Sequence, residues 1–328
     1  MPLLDGTSAP AIDEAAQALA GGELVAFPTE TVYGLGARAD DDRAVARIFA
    51  AKRRPANHPL IVHVDSLAAA SGFGDMGADA VQRLAKAFWP GPLTLIVPRL
   101  DGVAAAAAGG QGSIGLRFPS HPVARALLAA CAERGVHGVA GPSANRFGRI
   151  SPTAASHVVD EFGAELRVLD GGPCDAGIES TIIDCTAGRA TLLRPGVLNR
   201  AALEHCLGRA LGERDATSPR ASGTLAAHYA PQAKLRLMST ADLRTALAIL
   251  TGSRPPQGLA VYSRTVHKVE AGIDLKVMPE RADEAAHQLF AVLRGFDARG
   301  ARLIWVEAPP ADPDWDGVRD RLERAAAA

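Results

Sequence analysis

The sequence has few of the features that mark secreted, membrane-spanning or metal-centred proteins. It holds four cysteines in 328 residues and no C-x-x-C pair, which argues against a disulfide scaffold or a zinc finger and predicts reduced thiols. No run of about 18 apolar residues occurs, and the first ten residues lack a basic segment followed by an apolar one. We therefore expect a cytoplasmic protein without a membrane span or an export signal.

An excess of charge of one sign is also missing, since 35 basic residues face 36 acidic ones and the formal net charge is -1. No whole-protein field attracts nucleic acid or anionic lipid, although a local basic patch remains open. Lysine is scarce: only five of the 35 basic residues are lysines, and only Lys52 and Lys86 precede residue 234. Lysine at position 52 therefore requires an explanation.

The chain is longer than the size at which one hydrophobic core stops growing, which predicts two domains. Apolar runs of strand length alternate with helical patterns, and the adjacent strands after residue 165 favour some antiparallel pairing. The predicted class is α/β: a twisted mixed sheet with helices in 1–207, a polar linker in 208–232, and a smaller Rossmann-like α/β domain in 233–328.

The individual elements follow from hydrophobic period and from turn residues. Helices are predicted near 11–20, 78–88, 122–134, 153–162, 199–207, 241–250, 283–298 and 316–327, and a further one begins at a cap formed by Asp41 or Asp42 and ends before Pro55. Strands are predicted near 24–27, 60–64, 93–97, 113–118, 136–140, 166–169, 179–185, 190–194, 234–238, 259–262, 276–278 and 303–306. Between the first strand and the second helix, Thr29–Gly36 is predicted to be a polar, glycine-containing loop.

The common nucleotide and hydrolase motifs are absent or incomplete. There is no G-x-x-x-x-G-K-[ST] phosphate loop. Gly34–Ala39 matches G-x-G-x-x-A, but several residues separate it from the preceding strand and no acidic residue lies about 20 positions further on. Gly141–Asn145 is similar to a nucleophile elbow, but it ends in asparagine instead of glycine. Neither a dinucleotide site nor a serine hydrolase is favoured.

Cationic side chains stand at the ends of two predicted elements. Lys52, Arg53 and Arg54 end a helix, where they either cap the dipole or form an anion site suited to triphosphate oxygens. Arg117 ends a strand, where it either pairs with a surface acid or binds a substrate carboxylate through two hydrogen bonds.

Further polar residues follow the buried strands, at the edge where open α/β sheets usually bind ligands. His63 shares a strand face with Ile61, so a core histidine is the default interpretation, and Ser143 and Asn145 are also common turn residues. Glu179–Thr181 and Arg194 complete the set, in which no general base or nucleophile is evident. This profile favours catalysis by positioning and electrostatics, as in nucleotidyl transfer.

Six motifs occur in order over roughly residues 12–200, namely Phe27–Gly36, Lys52-x-Arg54-Pro55, Pro59–His63, Trp89–Thr94, Pro142–Asn145 and Glu179–Ile182. Together they resemble the YrdC-like threonylcarbamoyl-AMP synthases. Ser222–Thr224 and His228–Pro231 resemble the interdomain linker of the long, two-domain form of that family.

The resemblance implies a reaction of L-threonine, bicarbonate and ATP that gives threonylcarbamoyl-AMP and pyrophosphate with Mg²⁺. Other proteins, the tRNA threonylcarbamoyl transferase proteins, then act downstream on the adenosine beside the anticodon. A weak contact of this chain with tRNA itself is left open.

The resemblance also implies roles for individual residues, with Lys52 and Arg54 as the catalytic ones. Expected ATP contacts are Lys52, Arg54, His58, Ser113, Gly141, Ser143, Asn145, Ser151, Arg194 and Tyr229. Expected threonine contacts are Thr31, His63, Arg117 and Ser180. The chain departs from the family at His58, where some members have asparagine, and at Ser222, where proline is common. Metal ligands are not assigned, and a contact of Glu30 with metal or water is only a guess.

Two other functions remain open. One is an enzyme that forms a different carbamoyl adenylate from carbamoyl phosphate, which a threonine requirement would separate from the first reading. The other is a non-catalytic RNA-binding module that uses Lys52, Arg53 and Arg54, which the near-zero net charge disfavours.

Overall fold

The computed structural model describes residues 3–251 and 255–328, which divide into two compact units. The first unit comprises residues up to Phe147 and Ser151–Thr224, and the second comprises Gly148–Ile150 and Leu225–Ala328. Residues 1–2 and 252–254 fall within the predicted domain ranges but lie outside the described residues. The predicted boundaries at 207 and 233 stay predictions, although residues 208–224, expected to be linker, belong to the first unit.

A mixed sheet of eleven strands forms the centre of the first unit. The strands are β1 (Leu3–Asp5), β2 (Val25–Phe27), β3 (Gly34–Arg38), β4 (Ile61–His63), β5 (Leu93–Pro98), β6 (Ser113–Arg117), β7 (Val139–Ala140), β8 (Arg167–Asp170), β9 (Thr181–Asp184), β10 (Thr191–Arg194) and β11 (Gly212–Glu213). Their order in the sheet is β1-β8-β2-β3-β7-β4-β6-β5-β9-β10-β11. Parallel pairs such as β4 with β6 occur beside antiparallel pairs such as β9 with β10, which confirms the predicted mixed sheet.

Helices cover both faces of this sheet. They are α1 (Ala9–Ala20), α2 (Asp42–Lys52), α3 (Leu67–Ser71), α4 (Asp79–Phe88), α5 (Pro122–Ala132), α6 (Ala155–Phe162) and α7 (Arg200–Leu207). Successive residues of a strand point to opposite faces, and on β2 Ala26 joins one apolar cluster while Phe27 joins the other. The first cluster contains residues of α2, α4, α6 and α7, and the second contains residues of α1 and α5. The first unit is therefore a three-layer α/β structure.

Helix α2 positions Lys52, and both of its ends are defined by local chemistry. Asp41 caps the start, because its carboxylate accepts hydrogen bonds from the backbone N–H groups of Arg43 (2.8 Å) and Ala44 (3.2 Å). The end is a turn at Arg53, whose φ of 53° lies in the left-handed region. Lys52 is the last helical residue.

The predicted loop at Thr29–Gly36 is wrong in its second half, because Gly34–Arg38 forms strand β3 between β2 and β7. The glycines suggested a loop, but here they allow close packing in a sheet. A Cβ atom at Gly36 would lie 2.9 Å from both the Phe27 ring and Val139 Cγ1. The position also excludes a dinucleotide loop at Gly34–Ala39, since that motif requires a turn from a strand into a helix.

The other predicted elements are confirmed, with small differences. Each predicted helix is present, and its ends lie within two residues of the prediction. The strand predicted at 136–140 is reduced to the two residues of β7. Short elements that lack a clear pattern were missed, namely β1, α3 and β11.

The second unit is a smaller α/β structure. Its strands are β12 (Lys234–Met238), β13 (Leu259–Ser263), β14 (Asp274–Val277) and β15 (Leu303–Glu307). Its helices are α8 (Thr240–Leu250), α9 (Ala282–Ala298) and α10 (Asp316–Ala326), and a 3₁₀ turn lies at Pro313–Trp315. All strand pairs in the order β12-β15-β13-β14 are parallel, which agrees with the expected Rossmann-like class. Within 3–251 and 255–328, no helix is long and apolar enough to cross a bilayer.

A buried carboxylate joins the strand ends of this second sheet. Glu307, the last residue of β15, accepts hydrogen bonds from Thr240 Oγ1 (2.6 Å), the Arg264 N–H (2.9 Å) and the Thr265 N–H (3.0 Å). Burial alone raises the pKa of Glu307, but these bonds and one from Ser263 lower it to about 2. Glu307 is therefore a charged internal cross-link of the second unit.

Candidate active site

The segment between β2 and β3 is a tight, buried turn that presents Thr31. The hydroxyl of Thr29 donates to the Val32 carbonyl (2.6 Å), accepts from the Thr31 N–H (3.2 Å) and lies 2.8 Å from the Thr31 hydroxyl. Tyr33 closes the turn because its hydroxyl donates to the Gly172 carbonyl (2.7 Å). The position of Thr31 is thus defined by the backbone around it.

Arg117 ends β6 and lies beside His63, its register partner on the parallel strand β4. Its Nη1 donates to Thr31 Oγ1 at 2.8 Å, and its Nη2 lies 2.8 Å from Glu30 Oε1. Only 3% of Arg117 is exposed. The structure therefore brings together three residues of the predicted threonine pocket, Thr31, His63 and Arg117. It also shows that Arg117 does not pair with a surface acid, because the acid beside it, Glu30, is buried.

His63 is buried and uncharged. Burial, followed by the positive charge of Arg117, lowers the pKa of His63 to about 3. Its ring bonds the Val139 backbone, while Nδ1 has no hydrogen-bond partner among the described residues. We assign Nδ1 as the unprotonated nitrogen, which can accept a hydrogen bond. A Cβ atom at Gly141 would lie 3.0 Å from Nδ1, so glycine there keeps this nitrogen accessible.

Ser180, the fourth predicted threonine contact, is tied to Arg194, a predicted nucleotide contact. The Arg194 Nη2 group donates to the Ser180 carbonyl (2.8 Å) and hydroxyl (3.2 Å), and Nη1 donates to the Ser222 carbonyl (2.9 Å). The Ser180 hydroxyl also lies 2.7 Å from Thr94 Oγ1. Arg194 thus holds Ser180 and Ser222 in place within the first unit.

Lys52 is enclosed beside the loop that carries Ser143 and Asn145. Its Nζ donates to the Ser143 carbonyl at 2.6 Å and to the Asn145 carbonyl, and 1% of the residue is exposed. Burial, followed by the charge of Arg54, holds the pKa of Lys52 well below its ordinary value. The proximity of Lys52, Ser143 and Asn145 agrees with the group predicted around the ATP phosphates.

Arg54 lies in a second contact group with His58 and Phe147. Its Nη2 donates to the Pro59 carbonyl (2.9 Å) and lies 3.4 Å from Ser222 Oγ, while the guanidinium carbon is 5.6 Å from the centre of the Phe147 ring. The His58 ring meets Phe147 edge-on at 5.3 Å. Burial, followed by the charge of Arg54, lowers the pKa of His58. Arg54 and His58, both predicted ATP contacts, are therefore neighbours through Phe147.

The loop Gly141–Asn145 connects the two halves of the site. Gly141 adjoins His63, whereas the carbonyls of Ser143 and Asn145 accept from Lys52. The loop is anchored by backbone bonds from Leu35 N to the Pro142 carbonyl (2.7 Å) and from Ala144 N to the Tyr33 carbonyl (2.8 Å). One rigid loop therefore separates the Arg117 pocket from the Lys52 pocket.

Three predicted nucleotide contacts lie in different surroundings. Ser113 begins β6 and lines a narrow crevice with Leu60, Ile182 and Ser222. Ser151 is buried and donates a short hydrogen bond to Glu179. Tyr229 belongs to the second unit, where its ring stacks on Phe290 at 5.6 Å, and its contact with nucleotide stays a prediction.

Sequence reasoning did not predict which residues hold the predicted ones in place. Glu30, Thr94, Phe147 and Glu179 contact Arg117, Ser180, Arg54 and Ser151 respectively. Glu30, Thr94 and Glu179 stand in segments that were singled out, but these contacts were not assigned to them. Phe147 was missed, because nothing in the sequence distinguishes it from an ordinary core residue.

No group of three or more histidine, cysteine, aspartate or glutamate side chains within the described ranges lies close enough to share a metal ion. Magnesium in nucleotide sites takes most of its ligands from phosphates and water, with one or two carboxylates from the protein. The described residues therefore form no cluster of protein ligands for the expected Mg²⁺.

Known proteins share both parts of the chain. A family model described as "Telomere recombination" matches residues 17–196, and one described as "Threonylcarbamoyl-AMP synthase, C-terminal domain" matches residues 198–327. A threonylcarbamoyl-AMP synthase of Pyrococcus abyssi is 36% identical over 93% of this chain and 90% of its own length. One of Bacillus subtilis is 34% identical over 98% of this chain and 94% of its own length.

A solved structure gives the same result in three dimensions. The crystal structure of P. abyssi Sua5 complexed with L-threonine matches with a TM-score of 0.87 at 33% identity, covering 97% of this chain and 95% of that one. The matches thus extend over both family models and over at least 90% of the length of each of these relatives. The chain belongs to the threonylcarbamoyl-AMP synthase family, in its long, two-domain form.

Proposed function

We propose that this protein is an L-threonylcarbamoyladenylate synthase, a nucleotidyltransferase that converts L-threonine, bicarbonate and ATP to threonylcarbamoyl-AMP and pyrophosphate. The product serves the threonylcarbamoyladenosine modification of tRNA beside the anticodon, through downstream transferase proteins. We place the reaction in the cytoplasm, with Mg²⁺ bound to the ATP phosphates. Family membership supports the reaction, and the geometry of the first unit supports the roles below.

The observation that carries this proposal is the shared loop Gly141–Asn145. It borders a pocket with a guanidinium and hydroxyls, at Arg117 and Thr31, and a second pocket with the cations Lys52 and Arg54. An amino-acid carboxylate fits the first pocket and a triphosphate fits the second. A synthase that joins an amino-acid carbamate to the α-phosphorus of ATP needs these two ligands side by side.

On the amino-acid side, Arg117 binds the carboxylate of threonine and neutral His63 accepts a hydrogen bond at Nδ1. The threonine nitrogen attacks the carbon of bicarbonate-derived carbon dioxide, loses a proton, and becomes a carbamate. A carbamate oxygen then attacks the α-phosphorus of ATP, and the bond to the β-phosphate oxygen breaks as pyrophosphate leaves. The buried walls of this pocket protect the labile carbamate from water.

On the nucleotide side, Lys52 and Arg54 stabilise the negative charge that develops on the phosphates. Burial and the charge of Arg54 lower the pKa of Lys52, and a bound polyanion opposes that effect because it favours the charged ammonium group. Loss of one such preorganised donor commonly costs about 10²-fold or more in rate. His58, Ser113, Ser143, Asn145, Ser151 and Arg194 are proposed to complete the nucleotide contacts, and Ser180 those to threonine.

The alternative RNA-binding module is disfavoured by the burial of two of its three basic residues. Lys52 is 1% exposed and Arg54 is 7% exposed, which leaves only Arg53 of this group on the surface to meet the phosphate backbone of an RNA. The alternative carbamoyl adenylate chemistry shares the nucleotide pocket, but it gives no role to the buried Arg117 and Thr31, whose side chains are joined by a hydrogen bond. A threonine requirement separates the two reactions.

The test is pyrophosphate release from ATP with bicarbonate, with and without L-threonine, and with carbamoyl phosphate in place of both. Wild-type protein is expected to release pyrophosphate only when threonine is present. Lys52→Ala is expected to lower the rate about 10²-fold or more. Lys86→Ala is the matched control, because Lys86 is exposed on α4 and outside the site. Release without threonine, or equal loss in both variants, contradicts the proposal.

A further inference from the structure

Glu30 is a buried acid next to the amino-acid pocket, and the reaction described above does not use it. It is 7% exposed, and its Oε1 lies 2.8 Å from Arg117 Nη2. Its Oε2 accepts a hydrogen bond from the Ser120 N–H at 3.2 Å. We propose that Glu30 is a positioning residue that fixes Arg117 for the carboxylate of the amino-acid substrate. The inference rests on the proposed function, since it concerns the substrate of that reaction.

The hydrogen bonds of Arg117 support this role. A guanidinium has five N–H groups. Nε donates to the Gly91 carbonyl (3.4 Å) and Nη1 donates to Thr31 Oγ1 (2.8 Å), while Nη2 forms an ion pair with Glu30 Oε1 at 2.8 Å without the geometry of a hydrogen bond. At least one N–H on each terminal nitrogen therefore has no hydrogen-bond acceptor in the described part of the chain. A carboxylate accepts hydrogen bonds from two N–H groups when it binds a guanidinium in a bidentate pair.

The three partners of Arg117 come from three different parts of the chain and act on three nitrogens. Gly91 and Thr31 hold Nε and Nη1 through hydrogen bonds, and Glu30 attracts Nη2 through its charge, so the three contacts together restrict rotation of the planar group. Without Glu30 the terminal nitrogen Nη2 loses its protein contact. The remaining N–H groups would then have to be oriented when the substrate binds, which weakens binding.

The charge of Glu30 has a second effect on the pocket. Arg117 is almost completely enclosed, and a buried guanidinium without a counter-ion is costly. Glu30 neutralises it before any substrate is present. As a buried ion pair contributes little net stability, the location of this pair at a substrate pocket favours a functional reason for it.

Glutamine cannot replace Glu30 in both contacts. The carboxylate uses separate oxygens for Arg117 and Ser120, whereas an amide has one oxygen and one NH₂ group. In Glu30→Gln, either Arg117 or the Ser120 N–H faces a donor instead of an acceptor. The variant changes few atoms, but it removes the charge and one of the two anchors.

The experiment measures initial rates of pyrophosphate release against threonine and against ATP, for wild type and Glu30→Gln. The expected result is a rise of about 10-fold in KM for threonine, equal to about 1.4 kcal/mol, with KM for ATP changed less than about twofold. A purely structural role would change both KM values together or neither of them.

Asp184→Asn is the matched control, since Asp184 is also a buried carboxylate of the first unit. It accepts from the Thr186 N–H (2.9 Å) and hydroxyl (2.8 Å) through a single oxygen, which asparagine retains. Its KM values are expected to equal those of wild type. Should Glu30→Gln fail to fold, Glu30→Asp is measured instead. Aspartate keeps the charge and both carboxylate oxygens on a shorter side chain. The same rise in KM for threonine, without a rise in KM for ATP, is expected.

The outcomes separate the two claims. If wild-type protein shows no threonine-dependent release, the proposed function fails. If wild type responds to threonine and the Glu30 variant keeps the wild-type KM for threonine, or loses affinity for threonine and ATP equally, only the role of Glu30 is overturned.

Discussion

Two enclosed basic residues of the site, Lys52 and His63, respond to burial in the same direction. Burial disfavours the charged form of each, and a neighbouring arginine adds to the effect. For His63 the consequence is a neutral imidazole with a pKa of about 3, which serves as a hydrogen-bond acceptor at any physiological pH. For Lys52 the pKa is lowered, and a bound anion opposes this effect because it favours the charged form.

The neutral His63 makes the stability of the first unit depend on pH in a defined direction. The folded pKa of about 3 lies below the ordinary value of 6.5, so the unfolded chain binds the proton first as the pH falls. Wild-type protein should lose up to about 1.4 kcal/mol of unfolding free energy per pH unit between pH 6.5 and 3 relative to His63→Gln. Urea unfolding at pH 7 and pH 5 measures the difference. Equal losses in both proteins would show that folding does not lower the pKa of His63.

Residue chemistry could be predicted from the sequence where a side chain follows a recognisable strand or helix, as with Lys52, Arg117 and Ser143. Their partners could not be predicted, because Glu30 and Arg117 meet only when the turn after β2 is placed against the end of β6. The two interpretations of Lys52 and Arg54, as helix-capping residues or as an anion site, likewise did not show that both side chains are buried. A sequence shows which side chains are charged, whereas the burial of a side chain depends on the residues that pack against it in the folded protein.

At the scale of the elements, α2 is the one whose placement matters most to the site. It begins at a capped residue and ends at Lys52, so its start, one face and its end are all determined locally. The face with Val45, Ile48 and Phe49 packs in the main apolar cluster and fixes the rotation of the helix.

Removal of the cap should destabilise the first unit by a small, specific amount. Asp41→Ala removes the acceptor for the N–H groups of Arg43 and Ala44 and should cost about 1 kcal/mol. Ser8→Ala is the matched control, because Ser8 precedes α1 without a side-chain capping bond and should cost close to nothing. Chemical denaturation of both variants is the measurement. Equal costs would show that the Asp41 bonds do not stabilise the helix.

Helices were predictable because their apolar residues recur at a period of 3.6 over ten or more positions, as in α2, α4 and α9. Strand β3 was not, since its glycines carry no apolar signal and are required by the close approach of Phe27 and Val139. Strand β7 was predicted too long, because Val136 is apolar for packing against α5 residues and not for pairing. Tertiary packing decided each of these cases.

At the scale of the molecule, the chain consists of a large unit that contains the Lys52 and Arg117 pockets and a smaller unit with a parallel sheet. The polar segment that begins at Gly208 predicted the change between them, but its first part belongs to the first unit. There, Ser222 contacts Arg54 and Arg194, both of which are proposed to contact nucleotide. A polar composition indicates a segment that connects two domains, but it does not show which surface of the protein that segment covers.

The central claim is that one chain joins threonine, bicarbonate and ATP into a single adenylate. Carbon-13 bicarbonate, L-threonine and ATP are incubated with the purified protein, and the nucleotide products are identified by mass spectrometry at once, before the adenylate decays. We expect an AMP adduct that contains both the threonine and the labelled carbon, formed at the same rate as pyrophosphate. Pyrophosphate release with only free AMP, or an adduct without the label, would contradict it.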